Sequence, residues 1–531
     1  MRPLSNVRPG PFRAGISLAL AILPLAVPAG AATRFVDPVR AGTVGPPYYA
    51  TIVEAHALST SGDTVAVSSS GSPYVHTAVL ALTDGVVYQG GYGPDFEGPN
   101  PASFETTIEL QLASGDSASV VEAIGTGSET LFAGFTLTGG ATFNGGGMFC
   151  GAGAPTIRDC IVRDNYASNF GGGIMIGAGS SAFIYHCELR GNQARRRGGG
   201  IMVAVNSPDA RIEFCTVEAC SAAVAADPEG GGGGIYATSP VSITRTTIRD
   251  CYSGLDGGGV LARDADVFLA TNWLFDNRAA RHGGGVYADG SAGQIRGCQI
   301  EGSAAGVSGG GVYFETGTWR IEGSFLRGNS AEGTGLEQGG GAMFFERSTG
   351  AIVRSNEIVN NTAQEGGGIR ITGPNFRSIL SVEISSNTFF GNGATNAQAG
   401  GSLHVGPTGN FADLVYNNIF SHQTDGSAVS CFGAFNQPVL RYNCMFNDGV
   451  ANRDPEYDGD CDDRTNINGN IKGDPRFCDA TTSPPNLKLQ FFSPCVGTGE
   501  NGADMGVYPE GDCVAVQVES MTWGRLKASW R

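Results

Sequence analysis

Polar residues recur at fixed offsets from apolar ones over most of this chain. In TNWLFDNRAARHGGGVY, Thr271 to Tyr287, Asn272 and Asn277 alternate with Leu269 and Leu274, and the triplet Gly283 to Gly285 runs into a short apolar strand, Val286, Tyr287, Ala288. Sliding this template along the sequence places the first polar position at Cys160, Cys187, Cys215, Thr246, Asn272, Cys298, Ser324, Asn356, Asn387, Asn418 and Cys444. The second falls five residues later, at Asn165, Asn192, Cys220, Cys251, Asn277, Ser303, Asn329, Asn361 and Asn392, and the residue between them, from Val162 to Phe389, is always apolar. Successive repeats are about 26 to 32 residues apart. A period of that size marks a solenoid, in which each repeat buries its apolar face only on its neighbours.

Helices are excluded because the β-branched and aromatic residues alternate over runs that are short and bounded by glycine. The pattern predicts an all-β, single-stranded right-handed parallel β-helix of about twelve coils, roughly 55 to 60 Å long at ~4.8 Å per coil. Glycine fits where the backbone takes positive φ or approaches the next coil. Asparagine at a repeated inward position forms an amide ladder along the stack. At the N-terminal end, Thr51 to Leu58 places Ile52, Ala55 and Leu58 on one helical face, a cap for the open stack. The expected organisation is a signal peptide over 1–31, a cap with entry coils over 32–133, repeats over 134–450, a closing coil over 451–513 and a tail over 514–531.

The signal peptide rests on Arg2, Arg8 and Arg13 before an apolar run from Ile16 to Val27, with Ala29-Gly30-Ala31 as the small-residue cleavage pattern. It predicts an exported protein, extracellular or at the outer-membrane surface. No later window has the ~20 apolar residues of a membrane-spanning helix. Net charge of −17 argues against a nucleic-acid partner, and lysine occurs only at Lys472, Lys488 and Lys527, so arginine carries the positive charge of the repeats. Thirteen cysteines in an exported chain permit disulfides. Cys160 with Cys187, and Cys220 with Cys251, either bridge adjacent coils or remain buried thiols. Cys431 with Cys444, Cys461 with Cys478, and Cys495 with Cys513 are placed as loop staples.

Three segments, TIVEAHALSTSGDTVAV, VVYQGGYGPDF and LFAGFTLTGGATFNGGGM, resemble the entry of bacterial right-handed β-helix proteins with the pectin-lyase-like fold. The alternation of GGG[I/V] strands with FxxN-like segments (LFDN, FLRGN, FFGN) resembles the repeats of polymorphic outer membrane proteins, whose membrane barrel has no counterpart in the short tail here. GDPRFCDATTSPPNLKLQFFSPCVGTGENGADMGVYPEGDC resembles the terminal coil of such β-helices. These resemblances imply a fold that hosts lyases, hydrolases, epimerases and adhesins, so activity has to be argued from sites.

Four places offer chemistry. The outward position of each GGG strand reads Phe149, Met175, Met202, Tyr236, Leu261, Tyr287, Tyr313, Met343, Arg370. This stripe is either a platform for sugar stacking or protein docking, or is covered by turns and by its own stacked rings. Asp250 and Asp276 fall on consecutive coils at the spacing of a retaining glycosidase pair or of two calcium ligands, with the bland alternative of solvated turn residues. Arg249 and Arg281 are the basic candidates beside them. Lyases of this fold use such a base with calcium on acidic sugars, but no WIDH, NTD, GHG or RIK segment is present. Asp458, Asp460 and Asp462 alternate as calcium ligands do, without an EF-hand's glycine and distal glutamate. His186, His404 and His422 are read as packing or surface residues. The sequence therefore favours a non-catalytic β-helix that binds a polysaccharide or surface protein, with a polysaccharide lyase or glycoside hydrolase as the alternative and calcium as the one cofactor it offers.

Overall fold

A computed structural model describes residues 31–511 and 513, except 224–226, 336–337, 373–380, 397–398, 407–413, 433–436 and 448–455. The expected signal peptide up to residue 30 and the tail from 514 lie outside the described residues.

One coil illustrates the rest. Val267–Ala270 belongs to sheet I, Trp273–Phe275 to sheet II, Arg278–Ala279 to sheet III and Val286–Asp289 to sheet IV. The chain then re-enters sheet I at Ser291–Arg296. Among the described residues the four sheets hold 16, 15, 10 and 14 strands. Pairing within them is parallel and joins equivalent residues of successive coils: Leu269 with Ile295, Leu274 with Ile300, Val286 with Val312. Each of these inward residues is fully buried, and together they form one continuous core. The stack has about 15 turns rather than twelve, roughly 70 Å at ~4.8 Å per coil. The extra coils are the entry ones, such as Thr64–Ser68 and Val87–Tyr92, which carry no glycine triplet.

In the repeat coils, the corners between sheets I and II and between sheets II and III are each made by a single left-handed residue. Thr271 (φ 56°) joins sheets I and II, and Asp276 (φ 52°) joins sheets II and III. The residue after each bend points inward and supplies the ladder. Asn356 Nδ2 donates to Asn387 Oδ1 at 3.0 Å and to the Ile321 carbonyl at 2.9 Å, while Asn387 Oδ1 also accepts from Asn356 N at 2.9 Å. The same pattern continues through Asn418, Asn443 and Asn470. The late position of the first ladder is thus Asn443 and not Cys444, because Tyr442 takes the bend (φ 52°).

At the N-terminal end, Ile52–Ala57 is helical with a Thr51–Glu54 capping box that satisfies the first amides. Ile52 and Ala55 are buried, whereas Leu58 lies past the helix end and is exposed. Cys160, Cys187, Cys220 and Cys251 are buried thiols. The disulfides are Cys431–Cys461 and Cys478–Cys513, not the staples expected. Cys431 ends a sheet IV strand opposite Gly459, two residues from Cys461. Cys444 faces the outside of sheet II and stays unbridged, as does Cys495.

The C-terminal segment also departs from expectation. Among its described residues, only Tyr457–Gly459 in sheet IV and Ile471–Lys472 in sheet II continue the stack. Beyond them, Phe477–Asp479 pairs antiparallel with Asn486–Leu489, and the segment lies across the outer face of sheet II as a strap. Phe477, Leu487, Leu489, Cys495 and Met505 pack on Val359, Phe390, Ile419 and Cys444. Tyr508 Oη donates to Glu357 Oε2 at 2.8 Å, Gly506 N to the Asn417 carbonyl at 2.7 Å, and Val507 N to Thr388 Oγ1 at 3.0 Å.

The ladder gives a direct test. Asn277 Oδ1 accepts from Cys251 N at 3.1 Å and its Nδ2 donates to the Ile248 carbonyl at 2.8 Å. Asn277→Leu leaves both backbone groups buried and unpaired and should cost about 2 kcal/mol or more. Asp276→Asn keeps a residue that tolerates the left-handed bend and should change stability by less than about 0.5 kcal/mol. Equal melting temperatures for the two variants would reject the ladder.

Candidate functional site

The glycine triplet sets the geometry of sheet IV. Gly283 takes φ +66°, and a Cβ on Gly284 would sit 2.4 Å from the Ala304 and Gly310 carbonyl oxygens of the next coil. Only glycine passes this crossing. Strand alternation then turns Val286 inward and Tyr287 outward. The outward row runs Phe149, Met175, Met202, Tyr236, Leu261, Tyr287, Tyr313, Phe344, Arg370. Phe344 replaces the expected Met343, because the bend of that coil is at Gly340 (φ +69°) and the register moves by one.

This row is not an open platform. From Met175 to Phe344 its side chains are between 0% and 8% exposed and form a second, external core. Tyr287 stacks on Tyr313 at 5.4 Å between centroids, and Tyr313 on Phe344 at 4.9 Å. The His282 ring lies 4.5 Å from Tyr313, Arg197 covers Tyr236 at 5.4 Å, and Arg263 covers Tyr287 at 5.9 Å. The Tyr313 hydroxyl donates to Glu346 at 2.6 Å, and Tyr287 donates to Glu315, which also binds Arg347. Burial, and then these carboxylates, push both phenols far above their ordinary range. Of the six residues expected as a binding surface, Phe149 is only partly buried, while Met175, Met202, Tyr236, Tyr287 and Tyr313 are covered.

Towards the C-terminus the same row becomes polar. Arg370 is buried and pairs with Glu365 at 2.9 Å. His404 Nε2 is 3.6 Å from the same carboxylate, and its Nδ1 is 2.7 Å from Ser430 Oγ. The order serine, histidine, acid suggests a nucleophile, but Ser430 is fully buried, so no substrate reaches its oxygen. Burial, and then Arg370, hold His404 neutral down to about 3. The cluster welds three coils together, and His404 is a packing residue as expected.

Asp250 (φ 56°) and Asp276 (φ 52°) are the left-handed residues of consecutive bends, which is why an acidic or amide side chain recurs there. Both are exposed. Burial, and then the neighbouring Asp250, raise the Asp276 carboxyl above its ordinary value. Arg249 pairs with Glu218 at 2.5 Å and with Asp250 at 3.1 Å. Arg281 is held elsewhere, its Nε 3.1 Å from buried Asp256 at the entry to sheet IV. The basic candidates are thus divided between two corners of the coil. In the acidic loop, Asp458 lies in a sheet IV strand, the Asp460 carbonyl accepts from Gln437 at 2.8 Å, and Asp462 pairs with Arg464 at 2.6 Å. Among the described residues no three His, Cys, Asp or Glu side chains come together as a metal site.

The sequence reading missed the outer face of sheet I. Its outward residues Arg211, Ser242, Phe268, Gln294, Arg320 and Ile352 stand in register on six successive coils. Between Asp266 and Ile352 the face carries a shallow groove of about 340 Å³, lined by Phe268, Gln294, Thr318 and Arg320. Phe268 is 38% exposed, unlike the covered rings of sheet IV. Gly293 and Trp319 shape the floor, the indole occupying the space that a Cβ on Gly293 would need, 2.7 Å away. The signal was present as one residue per coil, always four before the first ladder position.

A family model described as right handed beta helix region matches residues 121–239 and 232–419, together more than half of the 531-residue chain. Among solved structures, the crystal structure of pectate lyase Pel9A is similar at 11% identity, with 91% of this chain and 98% of that chain covered and a TM-score of 0.31. No curated protein matches the chain.

Acid should act through His404. Its depressed value means that the folded state binds fewer protons than the unfolded chain below the ordinary histidine value of about 6.5. Stability should therefore fall as pH drops from about 6.5 towards 3, by up to ~1.4 kcal/mol per pH unit from this group. His404→Gln should flatten that limb of a melting-temperature profile, and an unchanged slope would count against the assignment.

Proposed function

The chain belongs to the right-handed β-helix family, and we propose that it is an exported, non-catalytic member that holds a polysaccharide along the outer face of sheet I. The observation that carries this is the groove of sheet I, an open surface lined by Phe268, Gln294, Thr318 and Arg320. An aromatic edge with amide, hydroxyl and guanidinium groups around it suits a hydroxyl-rich chain, which needs an apolar face and several hydrogen-bond partners.

Support for a binding role over a catalytic one comes from the disposition of the charged groups. A catalytic set requires acid, base and electrophile to converge on one substrate position. Here Arg249 and Arg281 are each tied to a carboxylate, and Ser430 and His404 are buried. The lyase or hydrolase alternative draws on one observation, the raised Asp276 carboxyl beside Asp250. Export draws on the basic-then-apolar N-terminal segment and on the two disulfides. Retention at the outer-membrane surface, a surface protein as partner and calcium in the Asp458–Asp462 loop are further proposals that rest on the sequence.

The deciding experiment incubates the purified mature chain with acidic and neutral polysaccharides, with and without calcium, and follows unsaturated-product absorbance, reducing ends and retention of the protein on the polysaccharide. The expected outcome is retention without product, reduced at least threefold by Phe268→Ala. Product formation abolished by Asp250→Ala or Asp276→Ala would establish the enzyme instead.

A further inference from the structure

Arginines of the repeats are mostly neutralised. Arg158, Arg163, Arg197, Arg249, Arg327 and Arg354 each lie within 3.1 Å of a carboxylate. Sheet I and its bend contain three that are not. Among the described residues Arg211, Arg245 and Arg296 have no ion pair, and all three are exposed. Two are nevertheless held in place, because the Arg211 guanidinium lies 4.3 Å from the Phe183 centroid and that of Arg245 5.1 Å from Phe214. A guanidinium braced on a ring keeps its charge and its outward N–H groups available.

None of the three lines the groove itself, but the register places them along the sheet I face that flanks and continues it. Arg211 stands two coils before Phe268 in the same outward row. Arg296 follows Gln294 by two residues on the same strand, opposite Ala270. Arg245 takes the left-handed bend (φ 49°) next to Thr244, which pairs with that same Ala270. Acidic groups on this face include Asp209 and Glu213, on either side of Arg211 in the sequence, Asp266, whose Oδ1 accepts from Ala292 N at 3.1 Å, Glu322, paired with Arg320, and Glu383, paired with Arg354. From Arg211 to Arg320 the row crosses four coil steps, roughly 19 Å at ~4.8 Å each. That length suits an extended ligand rather than a small molecule.

We infer that the sheet I groove is a binding site for a negatively charged polysaccharide, with Arg211, Arg245 and Arg296 receiving its sulfate or carboxylate groups and Phe268 its apolar ring face. This rests on the polysaccharide reading above and adds the charge of the ligand. In a chain of net charge −17, a ligand of that sign is repelled by the protein as a whole and has to be selected by local positive charge, which this face supplies. The arginines therefore serve specificity as well as affinity.

Dextran and dextran sulfate share a backbone and differ in charge, so they separate the two claims. Affinity electrophoresis in EDTA, with dextran, dextran sulfate and polygalacturonate in parallel, would compare the full mature chain with Arg211→Gln/Arg245→Gln/Arg296→Gln and with Phe268→Ala. All four positions are exposed, and circular dichroism would verify that the variants keep the β-helix. The inference expects at least one charged polysaccharide to be bound tenfold or more tightly than dextran. That binding should weaken with added salt and fall at least tenfold in the triple variant. Equal retention on dextran, unchanged in the triple variant, would overturn the charge assignment and leave polysaccharide binding standing. No retention on any of the three would overturn both. Equal binding to duplex DNA would overturn the ligand class.

Discussion

Everything in this fold depends on a chain that must turn a corner within one residue and still leave no buried amide unpaired. A bend made by a single left-handed residue exposes the backbone on its inner side to the core. The inward asparagine that follows closes that gap by bonding to the backbone of the preceding coil, while its own amide is supported by the next. Water has no place there, so the side chain has to do what solvent does at an ordinary turn. Where a coil uses cysteine instead, as at Cys160 or Cys215, the thiol donates to carbonyls at 3.2 to 3.3 Å and fills the same volume. Buried thiols and amides are thus interchangeable answers to one steric and hydrogen-bonding problem.

The same constraint explains which candidate residues fell away. An acidic side chain just before a ladder position suggests a catalytic carboxylate, yet the left-handed backbone at Asp250 and Asp276 favours Asp, Asn or Gly whatever the function. Gly191, Gly302 and Asn360 occupy equivalent bends on other coils. The aromatic row of sheet IV is a similar case. A ring pointing out of a strand need not be exposed, because the turn before the triplet carries arginines and histidines long enough to close over it.

Period, coil order and inward residues were legible in the sequence because they are imposed by local geometry and repeat at every coil. The strap was not. Its hydrophobic residues, Phe477, Leu487 and Leu489, alternate as strand residues do, and nothing local says whether a strand joins the end of a stack or lies across its side. The register slip at Phe344 was invisible for a comparable reason, since GGGA offers two glycines able to take the bend and the choice is made by the neighbouring coil. The groove of sheet I escaped notice because each coil contributes one variable outward residue. Only superposition of coils reveals that Arg211, Phe268, Gln294 and Arg320 share a line.

The lateral strap has a consequence for how such a body comes apart. A linear array is held by nearest-neighbour contacts and frays from its ends, coil by coil. Here one segment touches Glu357, Thr388, Asn417 and Cys444, which belong to four different coils, and joins positions 151 residues apart at Tyr508 and Glu357. None of those coils can leave alone while the strap is seated. The C-terminal third then behaves as a single cooperative block, and the end of the solenoid that would otherwise open first becomes the part that has to be lost all at once.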